Sequence, residues 1–169
     1  LGDVYKRQIN NLDQYPQDMT GKKVAVIGGG AVGLDVVEFF APRGAKVSIV
    51  EMLPAIGNGI DPVSKVGTFS LMEQYGVRQM TKTALKEVRP DSFYVETPDG
   101  PEVLDFDYGF VCLGMKSASP VLTDIQEAFA SDNSVEIVNV GDSVRARRII
   151  EGTDEGRNIL NTLEKRGYL

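Results

Sequence analysis

Apolar residues in the first half of the chain come in short unbroken runs, separated by stretches of helical spacing. Val24-Ala25-Val26-Ile27 is such a run, the pattern of a central parallel strand covered on both faces. Residues 32–41 then carry apolar side chains at helical spacing, with Val36, Val37 and Phe40 on one face and Pro42 and Gly44 punctuating the end. The residues from Lys46 to Glu51 return to β-branched, apolar character through Val47, Ile49 and Val50. Strand, helix and strand predict a βαβ unit of about thirty residues, the length a right-handed crossover needs. After a loop over residues 54–59, Asp61 is placed to N-cap a helix with Pro62 at its first position. That helix is predicted to reach Tyr75, with Gly76 as its C-terminal signal, and residues 77–80 predict a third parallel strand.

Beyond this point the period shifts towards two. Residues 84–88, 93–97 and 102–106 predict a small antiparallel meander, with Asp99-Gly100 marking one hairpin turn. Residues 108–113 form another apolar strand, which stops at Gly114. A loop over 116–120, a helix over 121–130 and a strand over 135–140 follow, the last ending at Gly141-Asp142. Residues 145–148 are basic, and residues 149–166 predict an amphipathic helix weakened by Gly152 and Gly156.

The opening of the chain differs in kind. Asp3-Val4-Tyr5-Lys6-Arg7-Gln8 resembles the translation of a transposon-end adapter used in sequencing libraries. Residues 1–8 are therefore expected to be foreign to the protein, the alternative being an interdomain loop. On either reading the chain is expected to be truncated at its N-terminus. Residues 9–20 are polar, rich in turn formers, and read as a lead-in.

Composition narrows the chemistry. The net charge of −6 argues against a nucleic-acid surface, because phosphates would be repelled. No run approaches the ~20 apolar residues of a membrane span. One cysteine, Cys112, among 169 residues excludes an internal disulfide framework and a multi-cysteine metal site, and points to a reducing, cytoplasmic setting. The chain has no histidine, so the commonest general base and metal ligand is missing. No catalytic and no metal-binding residue is expected here; the chemistry must come from a bound cofactor or from residues outside the chain.

One motif supplies that cofactor. Gly28-Gly29-Gly30-Ala31-Val32-Gly33 is a G-x-G-x-x-G string that follows an apolar strand and opens a helix, the context required for dinucleotide binding. Gly28 allows the tight turn, Gly30 the close approach of backbone to pyrophosphate, and Gly33 the close packing of helix on strand. The helix N-terminus offers unpaired N–H groups and partial positive charge, so no cationic side chain is needed. Glu51 ends the second strand 18 positions after Gly33. There its carboxylate can accept hydrogen bonds from the adenosine ribose and repel the 2′-phosphate of NADP, while Met52 and Leu53 supply no compensating cation. The reading favours NAD(H). FAD sites share the fingerprint, however, and a plain strand-to-helix turn beside a solvated Glu51 would carry the same letters.

The order βαβαβ, meander, then a strand ending at Gly114 resembles the NAD(P)H domain of two-dinucleotide-domain flavoproteins. The run Val135-Glu136-Ile137-Val138-Asn139-Val140-Gly141-Asp142 resembles their second flavin motif. The resemblance implies that Asp142 accepts a hydrogen bond from the FAD ribityl chain; otherwise Gly141-Asp142 is an ordinary strand-end turn. More narrowly, residues 21–160 resemble the C-terminal region of the NADH:flavin oxidoreductases, which include 2-enoate and 2,4-dienoyl-CoA reductases. The segments that carry this are Gly21 to Gly30, Gly141-Asp142-Ser143-Val144, Arg147, Glu155-Gly156 and Asn158. Cys112 stands alone where a thioredoxin-reductase-type enzyme would have a Cys-x-x-Cys pair, and reads as a small buried hydrophobe within its strand.

The predicted fold is α/β: a Rossmann-like three-layer dinucleotide-binding domain with a parallel sheet and a small antiparallel meander over residues 21–115, followed by part of an FAD-binding domain over 116–169. Candidate cofactor-binding residues are Gly28, Gly29, Gly30, Ala31, Val32, Gly33, Glu51, Gly114, Gly141 and Asp142. The resemblance implies an NADH-docking part of an FAD-dependent oxidoreductase, partnered by an upstream flavin domain of the same polypeptide and by small-molecule dinucleotides, with no nucleic-acid or membrane partner. In the intact enzyme it implies FMN, an iron–sulfur cluster and reduction of an enoate- or enoyl-type C=C bond. Two alternatives stand beside it: a non-catalytic NAD-sensing module, and a domain of another flavoprotein holding FAD itself at Gly28–Gly33.

Overall fold

The computed structural model describes residues 14–117, 120–147 and 149–167. The adapter-like residues 1–8, the first part of the lead-in and Arg148 of the basic run lie outside the described residues. The chain divides after Gly114 into two compact units.

In the first unit, strands β1 (Lys23–Ile27), β2 (Lys46–Val50), β3 (Arg78–Met80) and β7 (Tyr108–Val111) form a parallel sheet in the order β3-β2-β1-β7. Helices α1 (Ala31–Phe40) and α2 (Pro62–Gln74) pack on one face. The antiparallel strands β4 (Ala84–Val88), β5 (Ser92–Thr97) and β6 (Gly100–Asp105) pack on the other. The unbroken apolar run of β1 follows from this. Val24 and Val26 join Val37, Phe40 and Ile49 beneath the helices, while Ala25 and Ile27 join Val50, Phe93 and Val95 beneath the meander. With both faces covered, the alternation of a half-exposed strand disappears.

Local signals place the helix ends. Gly44 at φ +86° closes a short 3₁₀ turn over Ala41–Arg43 after α1. The Asp61 carboxylate accepts hydrogen bonds from the Val63 and Ser64 amides at 3.1 and 2.9 Å, with Pro62 opening α2. The described part of the lead-in is more than a polar connector. Met19 is fully buried and its amide donates to the Arg43 carbonyl at 2.8 Å, while the Tyr15 ring meets Phe40 edge-on at 5.1 Å.

The second unit contains α3 (Pro120–Ala128), α4 (Ile149–Arg157) and α5 (Ile159–Lys165), and none of these helices buries a residue. Two sequence expectations are corrected here. Residues 135–140 form no strand; Val140 is extended, at φ −139° and ψ 160°, but no other strand of the described residues in this unit offers a ladder of hydrogen bonds. The helix predicted over 149–166 is interrupted at Asn158 rather than at either glycine. The Asn158 amide side chain donates to the Asp154 carbonyl at 2.8 Å and Thr162 Oγ1 donates to the Asn158 carbonyl at 3.1 Å. Side-chain bonding of this kind competes with the helical ladder.

Candidate nucleotide-binding site

The carboxyl ends of β1, β2 and β7 open onto a cleft of about 530 Å³, within the size range of small-molecule sites. Its position is the one expected for open α/β sheets, where successive strands are laid down on opposite sides of β1. Gly28, Gly30, Ala31 and Val32 form one wall, Glu51 another, and Gly114 one end.

The glycines have separable duties. Gly28 sits at φ +109°, and a Cβ there would stand 2.2 Å from the Cys112 carbonyl oxygen. Gly33 would bring a Cβ to 1.9 Å from the Gly28 carbonyl oxygen. Both therefore serve close backbone packing. Gly29 is enclosed by Glu51 and Ile56, at 3.0–3.1 Å from a built Cβ. Gly30 differs: nothing lies within 4 Å of its Cβ position and its φ of −81° suits any residue. Its openness is towards the cleft. Gly30 is also the N-cap of α1, and no side chain caps that helix. The leading amides of α1, which have no intrahelical acceptor, are left for a ligand.

Glu51 is held in place by the loop it serves. Its Oε2 accepts from the Gly29 amide at 2.7 Å and its Oε1 from the Leu53 amide at 2.8 Å. The Gly57 amide in turn donates to the Gly29 carbonyl at 2.7 Å. The carboxylate is thus oriented beside the glycine turn before any ligand arrives.

Cys112 lies one residue past the end of β7 rather than mid-strand; it is half-buried, packs as a small hydrophobe against the core beneath the helices, and also lines the cleft. Burial, and then the nearby Asp35 carboxylate, push its thiol up to about 11. Because the thiolate is the nucleophile, alkylation at pH 8 should be slow and should accelerate about tenfold per pH unit until the pH nears that value. A rate that is fast at pH 8 and flat above it would contradict this environment. Asp35 on α1 is itself raised, first by burial and then by Glu38.

Three contributors were not found from the sequence. Asn58 and Thr83 line the cleft, and Lys82 is tied to its rim through a hydrogen bond from its amide to the Leu53 carbonyl at 3.0 Å. The strand order was the available signal, since the residue after every parallel strand faces the same crevice.

Gly141 and Asp142 belong to the second unit. The Gly141 amide donates to Glu155 Oε2 at 2.6 Å, the Arg147 amide donates to Asp142 Oδ1 at 3.1 Å, and the Arg147 guanidinium pairs with Glu155. The Gly141 amide and Arg147 hold the Glu155 carboxyl below the usual range. Gly152 lies against this turn, since a Cβ there would stand 3.3 Å from the Gly141 Cα.

Sheet order, glycine turn and the acid at the end of β2 together define a Rossmann-like dinucleotide-binding domain. Residues 2–142 match the pyridine nucleotide-disulphide oxidoreductase family, and the chain belongs to it. Members of this family use FAD and NAD(P)H. The chain is 32% identical over 148 residues to a bilirubin reductase of Mediterraneibacter gnavus, covering 87% of this chain and 22% of that protein. It is 29% identical over 138 residues to an NADH oxidase of Thermoanaerobacter brockii, covering 80% of this chain and 20% of that protein. It thus spans about a fifth of the length of these relatives. Two solved structures share its fold: a 2-naphthoyl-CoA reductase, with a TM-score of 0.62, 20% identity and coverage of 88% of this chain and 22% of that one, and the histamine dehydrogenase of Rhizobium sp. 4-9, with 0.69, 16%, 94% and 25%.

Proposed function

We propose that the first unit docks NADH for an FAD-dependent oxidoreductase of the NADH:flavin oxidoreductase group. The observation that carries this is the uncapped N-terminus of α1 opening on the cleft beside Gly30, with the Glu51 carboxylate already oriented on the facing strand. When bound, NADH supplies a hydride and a flavin accepts it. The chain's own residues bind and orient. The amides at the start of α1 hold the pyrophosphate, Glu51 accepts from the adenosine ribose, and the apolar floor of Ile27 and Val50 excludes water.

The second unit would contribute Asp142 to a flavin site shared with an upstream domain of the same polypeptide. The exposed apolar stripe along α3 and the turn that follows it supports such a partner: Val121 and Ile125 on the helix and Phe129 just past its end recur every four residues and are 65%, 40% and 43% exposed. In the intact enzyme, FMN and an iron–sulfur cluster would pass electrons on to an enoate- or enoyl-type C=C bond. Support for that finer reading is the spacing of Gly141-Asp142, Arg147 and Glu155, together with the reductase names among the relatives. A cytoplasmic setting goes with it.

The test is a calorimetric titration of the full chain with NADH and NADPH. NADH should bind more tightly, because Glu51 repels a 2′-phosphate. Glu51→Ala should weaken NADH about tenfold or more, the scale of losing hydrogen bonds to a charged acceptor, and so narrow the gap. Equal affinities in the unsubstituted chain would overturn the NADH preference.

A further inference from the structure

We infer that Lys82 sets the size of the discrimination between NADH and NADPH, acting as the cation that a 2′-phosphate would meet at the rim of the cleft. The inference rests on the nucleotide reading above and concerns a residue 31 positions beyond Glu51.

Among the described residues, Lys82 is the only non-glycine residue with positive φ, at +52°. Lysine is not among the residues that favour this region, so the conformation is imposed by its surroundings. Those surroundings are the segment that carries Glu51. The Glu51 amide donates to the Met80 carbonyl at 2.8 Å, the Thr83 amide to the Glu51 carbonyl at 2.9 Å, and the Lys82 amide to the Leu53 carbonyl at 3.0 Å. Thr83, 2% exposed, anchors the turn by donating from Oγ1 to the Thr81 carbonyl at 3.0 Å. The turn after β3 therefore runs along the turn after β2, and Lys82 is tied to Leu53, two residues beyond the acid that faces the ribose.

The charges around the cleft give this placement its consequence. Among the described residues, no lysine or arginine lines the cleft itself. Lys65, near the Gly57 loop, has its ammonium over the Phe69 ring at 5.5 Å. The Lys82 side chain is exposed, and its ammonium makes no hydrogen bond or ion pair with another described residue. A long, flexible stem ending in a strongly hydrated point charge suits a phosphate that reaches out towards solvent. NADH carries nothing at that place. Glu51 opposes the 2′-phosphate and Lys82 offsets part of that opposition, leaving the site selective for NADH but not closed to NADPH.

The experiment is a titration of the full chain with NADH and with NADPH, at about 0.1 M and about 1 M salt, where the screening length falls from ~10 to ~3 Å. Three proteins are compared: the unsubstituted chain, Lys82→Asn and Lys46→Gln. Asparagine tolerates the left-handed backbone, so Lys82→Asn removes the charge and keeps the turn. Lys46, at the opposite end of β2 and about 15 Å away by strand rise, controls for a general change in charge. Lys82→Asn should weaken NADPH about fivefold at the lower salt, the scale of an exposed ion pair, and NADH less than twofold. The difference should vanish at the higher salt, and Lys46→Gln should leave the NADH/NADPH ratio as it was. An unchanged ratio in Lys82→Asn, or an equal loss for both cofactors, overturns the role of Lys82 while the cleft still binds NADH. Failure of the unsubstituted chain to bind either cofactor overturns both that role and the docking function beneath it.

Discussion

Replacing Gly33 by alanine is expected to lower the melting temperature of the first unit by about 15 °C. The added Cβ would stand 1.9 Å from the Gly28 carbonyl oxygen and 3.3 Å from Val26 Cγ1. Relief by moving Gly28 is blocked from two directions. Its amide donates to the Val50 carbonyl at 2.8 Å, and its Cα faces the Cys112 carbonyl closely enough that no Cβ would fit. The remaining relief is to lift α1 from the sheet, which opens the packing of Val36, Val37 and Phe40. Overpacking of this kind costs about 3 kcal/mol when backbone must move, and at 4–8 °C per kcal/mol for a domain of this size the expected shift is about 15 °C. Thermal unfolding followed by circular dichroism measures it. A change under about 3 °C would mean that helix and strand are not packed as described.

Gly30→Val should do the opposite: keep the fold and lose the ligand. No atom lies within 4 Å of the Cβ position and the backbone there is ordinary for any residue, so the melting temperature should stay within a few degrees. The side chain would instead fill the space in front of the first amides of α1. Hydrogen bonds to a charged group contribute about 1.5–3 kcal/mol each, so losing two of them should weaken NADH binding by at least about 100-fold. A variant that melts normally and binds NADH normally would show that the pyrophosphate lies elsewhere. The pair of glycines, three residues apart in one motif, thus separates binding from folding.

Much of the first unit was legible because its signals are local. The apolar run of β1, the Asp61-Pro62 start of α2 and the position of Glu51 at the end of β2 each depend on a few adjacent residues. What was not legible depends on pairing across distance. Lys82 reaches the rim only because β2 and β3 pair in parallel, with Val50 opposite Met80, and no local pattern around Thr81-Lys82-Thr83 states that. Residues 135–140 have the apolar composition of a strand, but a strand exists only with a ladder partner. Met19 lies in the stretch read as a polar lead-in; the hydrogen bond of its amide to Arg43 brings it into the core. Cys112 is one residue past the last ladder position of β7, where the chain leaves the sheet, and so it lines the cleft as well as touching the core.

The central claim is that the start of α1 and the end of β2 hold a dinucleotide, and amide resonances of the full chain titrated with NADH test it most directly. The account predicts that the largest shifts fall on Gly30 to Gly33, where the amides meet phosphate, and on Gly29 and Leu53, whose amides donate to the Glu51 carboxylate and must adjust when it accepts from the ribose. Saturable shifts confined to other residues, with Gly29–Gly33 unmoved, would contradict it.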